Sequence, residues 1–370
     1  MQIVKEENSN NIRKLLKGTK LKTFFKFAIS IILILVSGYY SIKGIPLSDI
    51  QNTIIQSNYL WVILSIPFIL LAHFLRGMRW KTMLEPIGEV KSYLNLFKAV
   101  MIGYFANSVT PRGGELLRPY VYARSEGFSF SSTFATIIVE RVIDLLTLLT
   151  LFGLSLLLFS EKIIFALEAT FTRLNVNISP ANFLSLIVII VFVLIISFYP
   201  PFIRFFLKIL IRPFSHKIYE RLISLFDKFQ KGFAIIKKPS RYFRMAMESV
   251  AIWICYGAPM FLMFYSFGFQ ARLNLTPGDA FLLLIVVGVA VTIAPTPGAI
   301  GVHHVAVRWA MMALYATSGL TEREAVGYAI LTHGTNFIVN TLVGAYFYLR
   351  EKKIIPETEK ISEELEESSG

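Results

Sequence analysis

The sequence predicts an all-α polytopic membrane protein, with about six full transmembrane helices plus two re-entrant helical hairpins in inverted repeats. Three observations predict it. Hydrophobic residues make up 55% of the 370, and apolar runs of about 20 residues recur, the length that crosses roughly 30 Å of hydrocarbon. Two apolar stretches break on glycine and proline in matching places. Leu94 to Val109 breaks at Thr110-Pro111-Arg112-Gly113-Gly114-Glu115, and Ala280 to Ala294 breaks at Pro295-Thr296-Pro297-Gly298-Ala299-Ile300-Gly301. Paired interruptions, one per half, point to an inverted-repeat transporter whose binding site lies at the breaks, because free backbone groups cannot face lipid. Basic residues, finally, concentrate in loops that the order of the spans puts on one face.

In chain order, residues 1–23 form a basic segment with Arg13, Lys14, Lys17, Lys20 and Lys22, expected to be cytoplasmic. The membrane domain covers 24–349. Its uninterrupted spans read as Phe24–Ile42, Tyr59–Met78, Phe134–Phe159, Phe183–Tyr199, Val250–Phe269 and Ala325–Leu349. Arg76, Arg79 and Lys81 close the second span on the cytoplasmic side, with Trp80 as an interfacial anchor. Between Arg204 and Arg244, eleven Lys/Arg face only Glu220 and Asp227, a balance of +9. Within this segment, residues 202–246, Tyr219, Leu222, Ile223, Phe226, Phe229 and Phe233 share one stripe, which reads as an amphipathic helix on the inner leaflet or as a plain linker helix. The links Lys43–Asn58, Glu161–Pro180 and Gln270–Asp279 are nearly neutral, as external loops should be. Arg350, Lys352 and Lys353 return the chain to the cytoplasm, where residues 350–370 form an acidic tail read as disordered.

Parity then places the broken stretches. The chain is inside at Lys81 and inside again before Phe134; it is outside at Gln270 and outside again near Thr321. Each broken stretch enters and leaves on one side, and arms of about 16 residues, roughly 24 Å as helix, are short for a crossing. The first hairpin opens to the cytoplasm and the second to the exterior, so repeat 1 (about 59–159) and repeat 2 (about 250–349) have opposite topology. The alternative is two pairs of short, tilted full spans, giving ten crossings.

Composition excludes several classes. The single cysteine, Cys255, lies in an apolar run and rules out a disulfide framework or a cysteine metal site. The net charge of +13 fits basic loops facing anionic lipid rather than nucleic acid. No HExxH, G-x-S-x-G, P-loop or Rossmann fingerprint occurs, so neither a catalytic site nor a cofactor is expected. His303 and His304 are sequence neighbours pointing about 100° apart on a helix, which argues against a metal there.

Ionisable groups inside spans cost at least about 2.5–3.5 kcal/mol each and are functional candidates by default. Glu140, Arg141 and Asp144 share one apolar helix, and two carboxylates on one face need a cation. Arg112 and Arg118 of the first hairpin are candidates, with Glu115 between them, forming a charge network that holds the hairpin or contacts ligand. Arg112 beside Gly113-Gly114 suits a phosphate through bidentate bonding and freed amides. At the second break Pro297, Gly298, Gly301 and His304 are candidates. Arg76, Arg79, Asn107 and the stripe His333, Asn336, Asn340 are candidate headgroup or cavity contacts. His73 and His216 receive no role.

Pro111-Arg112-Gly113-Gly114-Glu115 with Arg118, Glu140-Arg141-x-x-Asp144, Pro297-Gly298-x-x-Gly301, and Arg79-Trp80 carry a resemblance. The chain resembles the lysylphosphatidylglycerol synthase transmembrane-region family of flippase-like membrane proteins, over about Phe24 to Leu349. The resemblance implies an integral protein of the cytoplasmic membrane, associated with moving lipids or lipid-linked intermediates between leaflets. In the full-length synthases a soluble aminoacyl-transfer domain follows; here a short acidic tail does, so that activity is not expected. The family often has a second glycine where Ala299 stands and a glutamate where His304 stands, so the resemblance carries no carboxylate role to that position.

The leading expectation is a translocase for a lipid with an anionic or phosphate-bearing headgroup, its partners being membrane lipids. The alternatives are a membrane-embedded enzyme acting on a lipid or polyprenyl headgroup, with Glu115 or His304 as base, and a non-catalytic membrane partner of a lipid-modifying synthase or glycosyltransferase.

Overall fold

A computed structural model describes residues 34–173 and 239–351 continuously, with position 32 and scattered positions between 179 and 223. The basic N-terminal segment, about half of the first span, most of the span Phe183–Tyr199, most of the basic segment 202–246 and the tail beyond Glu351 lie outside the described residues. The described residues form helices and connecting turns, with no strand among them, as the composition predicts.

A helix over 34–42 precedes α1 (Leu47–Ile55), α2 (Tyr59–Leu84), α3 (Tyr93–Val109), α4 (Gly114–Glu126), α5 (Phe130–Leu158) and α6 (Ser160–Arg173). The second half holds α7 (Pro239–Ser266), α8 (Phe269–Leu273), α9 (Pro277–Ile293), α10 (Val302–Tyr315) and α11 (Glu322–Glu351). Tyr59–Leu84, Phe130–Leu158 and Arg241–Ser266 are long and apolar enough to cross a membrane. α11 has 30 residues and the length to cross, but His333, Asn336 and Asn340 lower its apolar content. Two links read as loops contain helix instead: α1 within Lys43–Asn58, and α6 within Glu161–Pro180. Their polar residues mask short amphipathic patterns that pack on one face only.

Local chemistry sets the boundaries. The Asn58 side chain accepts from the Leu60 amide at 3.0 Å and starts α2, and Ser92 does the same for α3 through Asn95. Asp279 accepts from the Thr276 amide (2.8 Å) and hydroxyl (2.7 Å) at the start of α9, with Pro277 at its first turn. Gly127, at φ +75°, ends α4 in the left-handed conformation that glycine adopts without penalty.

The packing is reciprocal between halves. α2 and α7 form the largest helix pair. α3 packs on α2 and α4 in its own half and on α11 of the other; α9 packs on α7 and α10 in its own half and on α5 of the other. Each hairpin's first arm thus crosses into the partner half, and its second arm packs on its own last helix (α4 on α5, α10 on α11), α10 also lying against α6 of the first half. One apolar core centres on Trp80, Leu84, Leu96 and Tyr122 of the first half and takes in Met245 of α7; the other centres on Phe264, Leu283, Met311 and Tyr328 of the second. Where lipid is as apolar as the helix surface, close packing and polar bonds hold helices together. Gly114 meets the Gly103 carbonyl inside the first hairpin, and Gly344 of α11 meets the Met101 carbonyl of α3. A β-carbon at either glycine would collide with backbone.

Candidate functional site

Charges four apart on α5 meet charges three apart on α2. Arg76 reaches Glu140 at 2.6 Å and Asp144 at 2.5 Å. Arg79 bonds Asp144, lies 3.8 Å from Glu140, and donates to Ser249 at 2.9 Å. Arg118 of α4 donates to Glu140 at 3.0 Å with its guanidinium 4.0 Å over the Trp80 ring. Arg141 completes the set at 3.2 Å from Glu140 and 3.1 Å from Asp144. Four guanidinium groups therefore share two carboxylates, a local balance of +2. Glu140 and Arg79 are fully buried, which multiplies the strength of each pairing and the cost of losing one. Arg79 Nε and Arg118 Nε and Nη2 are buried donors without a hydrogen-bond partner among the described residues. The cluster is cation-rich and under-satisfied, a setting that favours an anion.

Two expectations change here. Arg79 and Trp80 are not interfacial anchors: α2 runs past Met78 to Leu84, and both side chains are wholly enclosed. Arg112 does not join the charge network; Arg76 and Arg79 take the role assigned to it. The sequence signal for this was available, since Arg76 and Arg79 are spaced i, i+3 and face the i, i+4 carboxylates of α5.

At the first break Arg112 is exposed, holds φ +58° in the left-handed region, and has no ion pair or hydrogen bond on its guanidinium among the described residues. The amides of the glycine turn are not free. Gly113 donates to the Thr110 carbonyl at 3.2 Å, Gly114 to Asn107 Oδ1 at 2.8 Å, and Glu115 to the Arg112 carbonyl at 3.0 Å. Asn107 therefore caps α4, and the amides of the glycine turn are engaged within the hairpin rather than offered to a ligand. Glu115 is half-buried and makes no ion pair among the described residues.

The breaks touch. α3 packs against the turn Pro297–Ala299, and a β-carbon on Gly298 would lie 3.6 Å from Ser108 Cα. Thr341 donates to Ser108 at 3.1 Å. At the second break Gly298, Ala299 and Gly301 have φ of +59°, +61° and +81°, so Ala299 adopts the conformation a glycine would. Gly301 packs against Ser37 so closely that no side chain fits there. His333 Nε2 donates to the Gly298 carbonyl at 2.8 Å, and the Gly301 amide donates to His304 Nδ1 at 3.3 Å. His303, His304 and His333 form a trio with ring centroids 4.7–5.8 Å apart.

The α11 stripe faces inward as expected. Asn340 donates to Asn336 at 2.6 Å and accepts from His73 at 2.7 Å. The His73 ring lies 4.0 Å from that of Tyr104, whose hydroxyl contacts Arg76 (3.3 Å) and Tyr256 (3.0 Å). Sequence reasoning gave His73, Tyr104 and Tyr256 no role. His73 stands three residues before Arg76 on one helix face, a signal that could have found it.

The geometry, two packed breaks beside a buried arginine cluster, agrees with a match to the family described as "Lysylphosphatidylglycerol synthase TM region" over residues 24–344. The chain belongs to that family. It is similar to a UPF0104 membrane protein of Pyrococcus horikoshii, 24% identical with 90% of this chain and 99% of that protein covered. A UPF0104 membrane protein of Methanothermobacter thermautotrophicus is 25% identical, covering 86% and 94% respectively. The glycosyltransferase AglD of Haloferax volcanii is 26% identical over 73% of this chain but only 45% of its own length. The chain is thus an integral membrane protein of this family.

Proposed function

We propose that the protein is a lipid translocase of the cytoplasmic membrane, with both termini cytoplasmic, that carries an anionic or phosphate-bearing headgroup between leaflets while the tails stay in lipid. The observation that carries this reading is Arg112. It is an exposed, unpaired guanidinium in left-handed backbone at a helix break, beside a buried cluster that already holds two surplus positive charges. Left-handed backbone costs a non-glycine residue roughly 1–2 kcal/mol, and such strain concentrates where function uses it. A planar fork bonds phosphate oxygens in pairs, so Arg112 makes the first contact and the cluster supplies the field behind it.

The hairpin lengths support re-entrant elements. α4 and α10 have 13 and 14 residues, roughly 20 Å of helix, and α3 and α9 have 17 each, roughly 26 Å. Neither pair matches two full crossings of about 30 Å. With the reciprocal contacts of α3 and α9, this favours inverted repeats whose hairpins alternate in access.

The test uses purified protein in liposomes with a panel of fluorescent lipids, read by leaflet-specific quenching. Headgroup-selective exchange, about tenfold slower in Arg112→Lys, is the expected result. Equal exchange of zwitterionic and anionic lipids, or none, overturns the reading. The similarity to AglD favours a second reading, a membrane partner of a glycosyltransferase; an absence of exchange together with co-purification of such an enzyme would support it.

A further inference from the structure

The histidine trio at the second break is not used by headgroup recognition at Arg112. A carbonyl oxygen cannot donate, so the His333–Gly298 bond fixes the proton on Nε2 and leaves Nδ1 as an acceptor. His304 Nδ1 is an acceptor too, taking the Gly301 amide. His303 is only 8% exposed, and its Nδ1 has no partner among the described residues. His73, across the Asn336–Asn340 row, repeats the pattern: Nε2 bonds Asn340 and Nδ1 is buried without a partner. A buried ring nitrogen without a partner calls for an explanation. The His303 and His333 ring centroids are 5.0 Å apart, so the two rings lie against one another in one enclosed space.

We propose that His303, His304 and His333 form a proton-binding site at the second break, so that a proton is the co-substrate whose uptake moves this hairpin. The proposal rests on the reading of the breaks as alternating-access elements. Enclosure opposes a charged imidazolium, so the proton binds when the trio is wetted, and uptake shifts the population toward the open arrangement.

Among the described residues the trio has no counter-charge of its own. On the elements packed against α10, Arg308 pairs with Glu322, Arg272 with Glu324, and Lys162 with Asp279. Arg323, Glu161 and Glu168 lie on those elements as well, and Arg112 and Glu115 lie on the first break; none bonds a ring of the trio. His73 lies across the Asn336–Asn340 row, bonded to Asn340.

The test is conformational, on the full chain in liposomes. A single cysteine at Ile300, with Cys255→Ala, is labelled by an impermeant thiol reagent between pH 8 and pH 5, and its rate is divided by that of a Gly127→Cys control. The ratio should rise about tenfold on acidification and stay flat in His333→Gln, whose amide keeps the donor to Gly298, and in His303→Gln. If either variant fails to accumulate, His304→Gln provides the same comparison. A flat ratio in the parent chain, or an unchanged rise in the glutamine variants, overturns the proposal. A pH-dependent ratio without lipid exchange in the same liposomes upholds the proton site and removes the transport reading instead.

Discussion

The two breaks share a geometry and differ in chemistry. Each is a short turn between two helix arms, each holds left-handed backbone, and α3, which leads into the first, packs against the second. The first is built of cations: Arg112 at its tip and Arg118 one turn into α4, pinned to Glu140. The second holds prolines, glycines and three neutral-capable imidazoles. On the proposed reading of the halves as inverted repeats, a difference at equivalent positions marks a division of labour. A fixed positive charge suits a ligand that is always anionic; imidazole suits a ligand that comes and goes, which is a proton.

The largest expected effect tests whether the first break is held by its charge network. Glu140→Gln leaves Arg76, Arg79 and Arg141 to share Asp144 and leaves Arg118 without a carboxylate, and unpairing buried charges costs about 3–5 kcal/mol. We expect loss of the protein from the membrane or a large fall in the detergent melting temperature. Adding Arg118→Met should recover part of it. Strictly additive losses in that cycle would mean the pair is not coupled.

Next in size is the steric prediction. Gly114→Ala puts a methyl into the Gly103 carbonyl, and Gly344→Ala puts one against α3. Overpacking of this kind costs about 1–3 kcal/mol. Gly334→Ala, on the same helix as Gly344 but with open space around it, should be neutral or stabilising, by up to about 1 kcal/mol. Thermal melts of the three variants check this, and equal melting temperatures would break the argument that glycine crossings set the hairpin.

These predictions also show what the sequence made legible. The breaks were visible because glycine and proline act locally: the turn after Val109 and the end of α9 near Ile293 fall within a residue of where composition puts them. The carboxylates of α5 were visible because a charge in an apolar run has few innocent explanations. Their partners were not. Arg76 and Arg79 stand at the end of an apolar run, where basic residues usually anchor at the interface, and only the approach of α5 to α2 reveals that both are enclosed. The glycine amides were misjudged for a similar reason, since Asn107 caps α4 from seven residues away. Long-range pairing is where one-dimensional pattern carries no information.

Arg112 separates the breaks more sharply. Arg112→Lys should keep normal thermal stability while exchange falls about tenfold, because the charge stays and the paired bonding is lost. Arg112→Gly should melt higher, since left-handed backbone is free for glycine, and should transport worst of all. A variant at once more stable and less active would mean that the strain serves the ligand. If Arg112→Lys fails to accumulate, the residue serves the fold.

The smallest effect is the control that gives the previous one its meaning. Ala299 holds φ +61°, the same strained region as Arg112, at the equivalent turn of the second break. Its side chain is a methyl with nothing to offer a ligand, so no functional gain offsets the strain. Ala299→Gly should therefore raise stability by about 1 kcal/mol, the left-handed penalty less the extra freedom glycine has when unfolded, with lipid exchange unchanged. Melting curves and the liposome assay on one preparation read both. The comparison predicts opposite functional signs for the same change in backbone: glycine at 112 abolishes exchange and glycine at 299 does not. If Ala299→Gly also slows exchange, stiffness of the turn itself matters to transport, and the loss in Arg112→Gly could no longer be assigned to the missing guanidinium.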